Sequence, residues 1–258
     1  MVCGMPNVLT HQQIDEFIAT GVTVLRDAFS PEVASRCRDF LWGVSGVGAD
    51  APATWSQPVI QLQETYGDGP FREVLTPAIS GAMDDLLGPG RYEPLTGFGW
   101  WPISFPGFAQ PPWRAPTSGW HVDGIHFHHH LDSREQGLLP LFIFSRIEPG
   151  DGGTAYIEGS HITTARVLQA AEPAGLDSAS LGPLAVAAAD MSRAVEGIGN
   201  PGDVLLLHPF MVHARSANTG SRVRFICNPC VTLHERIRVE PGAERTPLER
   251  SIMRAVQR

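Results

Sequence analysis

The spacing of apolar positions changes character near Gly90. Before it, Ile14, Phe17 and Ile18 recur at helical spacing behind Thr10, and predict a helix over 11–19 that Gly21 ends. Residues 22–25 read as a strand, and Ser30-Pro31-Glu32 opens a second helix through about Trp42. Residues 43–56 are rich in Gly, Ala and Ser and predict a loop. A strand follows over 58–64, with Gln61 and Gln63 on one face, then a helix over 71–87. Beyond Gly90, residues 92–120 are crowded with Trp, Phe and Pro. Short β-rich runs come next, over 139–147, 154–158, 203–207 and 223–233, separated by Gly, Pro and Asp. The Ala-rich stretch 162–195 reads as a helical insertion between strands. Helices followed by many short strands predict an α+β chain, mainly β in its core, with a closed sandwich or barrel. No repeat or linker divides the 258 residues, so one domain is expected, its β core over about 92–233.

Composition narrows the chemistry. The formal net charge is −8, and all nineteen cationic residues are arginine. Without lysine there is no Schiff-base aldolase, pyridoxal or P-loop chemistry, and any anion must be held by Arg, hydroxyl or backbone N–H groups. An acidic chain with no basic run argues against a nucleic-acid partner. No apolar stretch approaches the roughly 20 residues of a membrane span, and the opening MVCGMPNVLTHQQ lacks the features of a secretory leader. The expectation is a cytoplasmic protein whose partner is a small molecule. Cys3, Cys37, Cys227 and Cys230 are too scattered for a four-thiolate zinc site, although Cys227 and Cys230 form a C-x-x-C; they read as apolar cysteines.

The candidate chemistry centres on His121-Val122-Asp123. Residues i and i+2 of a strand share a face, so this imidazole and carboxylate would converge on one ion while Val122 packs behind. A third ligand must come from elsewhere. The apolar run ending His208-Pro-Phe-Met-Val-His213 offers two histidines, and a turn near 218–219 would set Arg224 opposite His213 in a hairpin. Two histidines and one carboxylate leave three coordination positions open, and an adjacent guanidinium suits the far carboxylate of a chelating 2-oxo acid. His208 rivals His213, and Arg222 rivals Arg224 by strand parity. His126, His128, His129 and His130 make a second cluster, whose bland reading is a solvated loop.

The stretches GWHVDG at 119–124, GGTAYIEGSH at 152–161 and GDVLLLHPFMVH at 202–213, with an Arg eleven residues past His213, resemble the phytanoyl-CoA dioxygenase-like iron(II)/2-oxoglutarate oxygenases. The opening LTHQQIDEFIATGVTVLRDAFSPE is similar too, so the resemblance runs from about 10 to 233. It implies a double-stranded β-helix (jelly roll) with the N-terminal helices outside. It also implies His121, Asp123 and His213 as iron ligands, Arg224 as the 2-oxoglutarate anchor, and Thr154 as a further cosubstrate contact. Two positions depart from the family: Arg215 stands where a serine is common, and Asp151-Gly152 where Asn-Gly is usual. The implied reaction consumes O₂ and 2-oxoglutarate, releases succinate and CO₂, and oxidises a C–H bond, with hydroxylation the default outcome. Halogenating relatives replace the carboxylate by Ala or Gly, so Asp123 argues against halogenation. Epimerisation, cyclisation and desaturation share the same chemistry. The aromatic segment before His121, including Trp100, Trp101, Phe105 and Trp120, predicts either packing or a wall for a small, largely apolar substrate, such as a bacterial natural product. A CoA thioester fits poorly, for want of a cationic cluster. Two alternatives remain: a cupin-type metalloenzyme using His128, His130 and Glu135, which leaves GWHVDG unexplained, and a non-catalytic β-sandwich.

Overall fold

The computed structural model describes residues 8–240, 242 and 244–257. Cys3 and most of the opening segment read for a leader lie outside these. Local signals set the first elements. Thr10 and Gln13 form a capping box at α1 (His11–Thr20), and Gly21 closes the helix at φ 85°, a conformation that favours glycine. β1 (Val22–Leu25) and α2 (Pro31–Ser45) follow, the latter capped by Ser30 with Pro31 in its first turn. β2 (Val59–Leu62) pairs antiparallel with β3 (Trp101–Ser104). The helix expected over 71–87 is two helices, α3 (Pro70–Val74) and α4 (Pro77–Leu87). Pro77 forces Thr76 out of helical backbone and into an extended cap.

The remaining strands are β4 (Leu139–Ile143), β5 (Ala155–Ile157), β6 (Ala194–Glu196), β7 (Val204–Leu207), β8 (His213–Ala214) and β9 (Ile226–Cys227). Between β5 and β6 lie α5 (Ser160–Ala171) and α6 (Ser178–Ala188), and the described chain ends in α7 (Pro247–Val256). The strands form three antiparallel sheets: β1-β7-β4-β9, β6-β5-β8 and β2-β3. In the four-stranded sheet, Val204, Leu206 and Phe142 join the large core shared with the helices. Leu205, Leu207, Leu141 and Ile226 point the other way, into a smaller core shared with Tyr156 of β5. Burial on both faces is why β7 reads as an unbroken apolar run.

The α+β class therefore stands, but the expected double-stranded β-helix, and with it a closed sandwich or barrel, is corrected. No sheet among the described residues closes on itself; the strands are two to five residues long and fall into separate sheets. Proline is one physical reason. Pro229 lies two residues past β9, so the run expected over 223–233 cannot extend its ladder, and Pro209 stops β7 from running on past His208, although β7 itself fills the run expected over 203–207. Isolated bridges, Ser104 to Arg224 and His121 to His213, link segments that a closed barrel would join by full ladders. Among the described residues, no helix is long and apolar enough to cross a membrane.

Candidate metal and anion site

Where the β4 and β9 inner face meets the β5–β8 sheet, a cavity of about 750 Å³ opens, lined by Leu141 and Ile226 on one side and Thr154, His213 and Ala214 on the other. His121 and His213 stand opposite each other in an antiparallel bridge, each backbone N–H donating to the other's carbonyl at 2.9 Å. The bridge brings the imidazole centroids to 4.3 Å. Asp123 completes the group. His121, Asp123 and His213 each offer a ligand atom within 4.8 Å of the other two, the one such cluster of three or more metal-binding side chains among the described residues.

The arrangement of protons on these rings is decisive. His121 Nδ1 lies 2.9 Å from the Gly119 carbonyl and His213 Nδ1 lies 3.1 Å from the Met211 carbonyl. A carbonyl only accepts, so each Nδ1 carries the hydrogen and each Nε2 is left to face inward. Those Nε2 atoms sit 3.2 and 3.4 Å from Asp123 Oδ1. With neutral rings, two nitrogen lone pairs and a carboxylate oxygen confront one another, and only a shared cation, whether a proton or a metal ion, relieves the repulsion. The electrostatics agree. A hydrogen bond donated by the protonated ring to Asp123 raises the His121 pKa against the opposing effect of burial. Burial works to raise the Asp123 carboxyl, but the His213 charge and the bonds to both rings outweigh it and hold it far below the usual carboxylate range. Nitrogen, nitrogen and oxygen donors on one side of an open cavity fit a mid-row divalent metal such as iron(II).

Arg224 is 1% exposed and, among the described residues, has no acidic hydrogen-bond or ion-pair partner. Its Nη1 donates to the Gly152 carbonyl at 2.6 Å and its Nη2 to the Pro102 carbonyl at 2.9 Å, while Nε has no partner. Burial first, then the nearby Arg215, disfavours its charge, with the pKa pushed down to about 9. A buried guanidinium held by neutral carbonyls lacks only an anion. Gly152 can present its carbonyl because it takes φ 77° beside Asn218, whose backbone N would lie 2.9 Å from any Cβ there.

The other expectations divide. Thr154 lines the cavity, as does Gln61, whereas Gln63 is exposed outside it. The hairpin between His213 and Arg224 does not form. β8 pairs with β5, while Arg224 bridges Ser104 of β3, so the chain crosses between sheets at a turn held by the Asn218 side chain. The two side chains still meet at one cavity, delivered by different sheets. The segment around His121 is likewise a single bridge, not a strand. Arg222 is occupied by Glu148 and Asp151, at 2.6 and 3.1 Å. His208 is fully buried, with Nδ1 accepting from the Phe210 N–H. Of the loop cluster, His126 lines the cavity, while the others are committed elsewhere: His128 to the Ala174 carbonyl, His129 to the Gly124 carbonyl and His130 to Glu172, so the cupin-type set of His128, His130 and Glu135 does not assemble. Cys227 and Cys230 contact separate carbonyls, of Gly99 and Glu135. Of the aromatic segment, Trp101 and Phe105 are core, and Trp100 is the member on the cavity wall. One contributor was missed. Asn228 donates to Asp123 Oδ2 at 3.3 Å, a contact that nothing in the local sequence announces.

Residues 17–226 match the family model described as phytanoyl-CoA dioxygenase (PhyH). No curated protein sequence matches the chain significantly. Among solved structures, the fold is similar to HygX from Streptomyces hygroscopicus with nickel and 2-oxoglutarate bound, at 16% identity and TM-score 0.55, covering 87% of each chain. It is similar to EvdO2 from Micromonospora carbonacea var. aurantiaca, at 16% identity and TM-score 0.56, covering 93% of this chain and 96% of that one. It is also similar to EctD from S. alaskensis in its apoform, at 19% identity and TM-score 0.56, covering 96% and 89%. With the family model matching most of its length and a two-histidine, one-carboxylate cluster in its cavity, the chain belongs to the phytanoyl-CoA dioxygenase (PhyH) family.

Proposed function

We propose that the chain is an iron(II)- and 2-oxoglutarate-dependent oxygenase that hydroxylates a C–H bond of a small molecule in bacterial secondary metabolism. The observation that carries this reading is the pairing of unmet charges in one cavity: three inward-facing donor atoms wanting a cation, and a buried Arg224 wanting an anion. Family membership and the nickel and 2-oxoglutarate bound in HygX support it. SnoK, whose fold is similar at 15% identity and TM-score 0.52, acts in nogalamycin biosynthesis, which supports the substrate class.

In this reading His121, Asp123 and His213 hold the metal through Nε2, Oδ1 and Nε2. When bound, iron(II) with 2-oxoglutarate and O₂ supplies the oxidising power, with succinate and CO₂ released. The Gly119 and Met211 carbonyls fix the tautomers so that no ligand needs to reorganise on binding. Arg224 receives the distal carboxylate, and Thr154 adds a hydroxyl on the same wall. Because Pro102 and Gly152 already hold the guanidinium in place, it loses little freedom on capture.

The test is substrate-independent succinate formation from 2-oxoglutarate. It should require iron(II), disappear in His121→Ala and survive in His128→Ala. In Arg224→Met, calorimetric binding of 2-oxoglutarate to nickel-loaded protein should weaken by roughly 100-fold, the scale of an uncompensated buried charge partner. Tight binding of 2-oxoglutarate by Arg224→Met, or iron loss in His128→Ala alone, would overturn the reading.

A further inference from the structure

The cavity holds a second guanidinium that the chemistry above leaves unused. Arg215 lies two residues past His213 and lines the same cavity. It is exposed there, and among the described residues it makes no hydrogen bond or ion pair. Its charge disfavours the charged forms of both Arg224 and His121, which line the same cavity.

If the proposed function is right, the charges of the loaded site nearly cancel without Arg215. A divalent ion and Arg224 offset Asp123 and a dicarboxylate cosubstrate. Glu135, the other acid on the cavity wall, forms no ion pair with Arg215; its charge acts on His129, where burial still holds the imidazole pKa down. One positive charge is left over in a partly enclosed space, where screening is weaker than at an open surface.

A second wall residue points to an acceptor-rich ligand. Gln136 is 5% exposed, and its Nε2 is fully buried with no partner. An unpaired buried amide destabilises the protein unless something else satisfies it. Trp100, Ile125 and Phe127 flank the same space, Trp100 being 57% and Ile125 75% exposed despite their apolar surfaces.

We propose that Arg215 binds a carboxylate on the primary substrate, so that the substrate class is small organic acids with an apolar body, seated between Trp100 and Phe127 and within reach of Gln136. This inference rests on the proposed function, and one experiment separates the two. Protein loaded with nickel and 2-oxoglutarate is titrated with paired probes, 4-ethylbenzoate and cinnamate against their uncharged amides, by ligand-observed NMR. The wild type should favour each acid over its amide by about tenfold, the scale of one charge-assisted hydrogen bond. Arg215→Gln should bring the ratio close to one. Affinity for 2-oxoglutarate on the nickel-loaded variant should stay within about twofold of wild type, because Arg224 holds the cosubstrate. Arg215 is exposed, so the variant should fold, which thermal melting checks. If Arg215→Gln instead weakens 2-oxoglutarate by tenfold, Arg215 serves the cosubstrate and the proposal falls while the functional reading survives. Equal binding of acids and amides by the wild type, or binding of neither, also overturns it. Failure of the wild type to bind 2-oxoglutarate at all would instead sink the functional reading.

Discussion

The His121/His213 pair and the His161/His208 pair are built alike and do opposite things. Their ring centroids stand 4.3 and 4.8 Å apart, and each pair brings together histidines distant in sequence. The first has Asp123 against both rings and opens into the cavity. The second has no acid and is sealed between Phe17, Phe210 and the first turn of α5. The consequences run in opposite directions. The His121 pKa is raised by Asp123, whereas burial pushes His161 down to about 4 and His208 well below its ordinary value. Two nearby imidazoles therefore do not by themselves favour a cation. A carboxylate and an open approach do, because they make a cation welcome where burial alone expels it, and in the proposed function that cation is the metal.

The sharpest way to break this comparison is to remove one histidine from each pair. His213→Ala should weaken nickel binding by more than roughly 100-fold, since even outer-sphere changes cost 10 to 100-fold. His208→Ala removes a fully buried ring and strands the Phe210 N–H, so it should cost about 2–4 kcal/mol of stability. Its nickel affinity should remain within about threefold. Calorimetry and urea unfolding on both variants read the two effects, and a metal defect in His208→Ala as large as that in His213→Ala would erase the distinction.

How these pairs read in the sequence depends on what is local. The capping residues Thr10 and Ser30 and the apolar run of β7 are local signals, and the first helices and strands fall where those signals put them. His121, Asp123 and His213 were legible because their motifs are short and ordered along the chain. Partner choice was not legible. Strand parity puts Arg224 and Arg222 on one face but is silent about which sheet the strand joins, and Asn218 sends it to β3 and not to β8. Closure of the sheets is illegible for a related reason, since a β-rich composition does not reveal how far Pro229 cuts the β9 ladder short. The capping box at Thr246 and Glu249 that starts α7 is a local signal of the same kind as those at Thr10 and Ser30.

The sealed pair sharpens the comparison through pH. A histidine whose folded pKa lies below its unfolded value is neutral in the fold and takes up a proton on unfolding. Stability is therefore full above about pH 6.5 and is lost as pH falls toward the folded pKa. For His161, held at about 4, the loss amounts to on the order of 3 kcal/mol between neutral pH and pH 4. His208 adds to it in the same direction. Urea midpoints measured from pH 7.5 to 4.5 should fall steadily in the wild type, and His161→Leu should flatten the slope. A wild-type slope matched by that of His161→Leu would mean the pair is not titrating.

The smallest effect concerns what separates the open pair from a mere contact, namely the orientation of Asp123. Its Oδ1 faces both imidazoles while Asn228 Nδ2 holds Oδ2 at 3.3 Å. Without that bond the carboxylate can turn about its terminal torsion and spread its charge over orientations that do not face the rings. Asn228→Ala should therefore weaken nickel binding by about tenfold, the lower end of the range for partners of metal ligands. Asn228 is only half-buried, at the cavity wall and outside both hydrophobic cores, so unfolding midpoints should barely move. A drop in affinity with unchanged stability assigns Asn228 to orienting the ligand. If affinity does not change, the imidazoles alone hold Asp123, and the difference between the two histidine pairs reduces to the presence of an acid, however it is aimed.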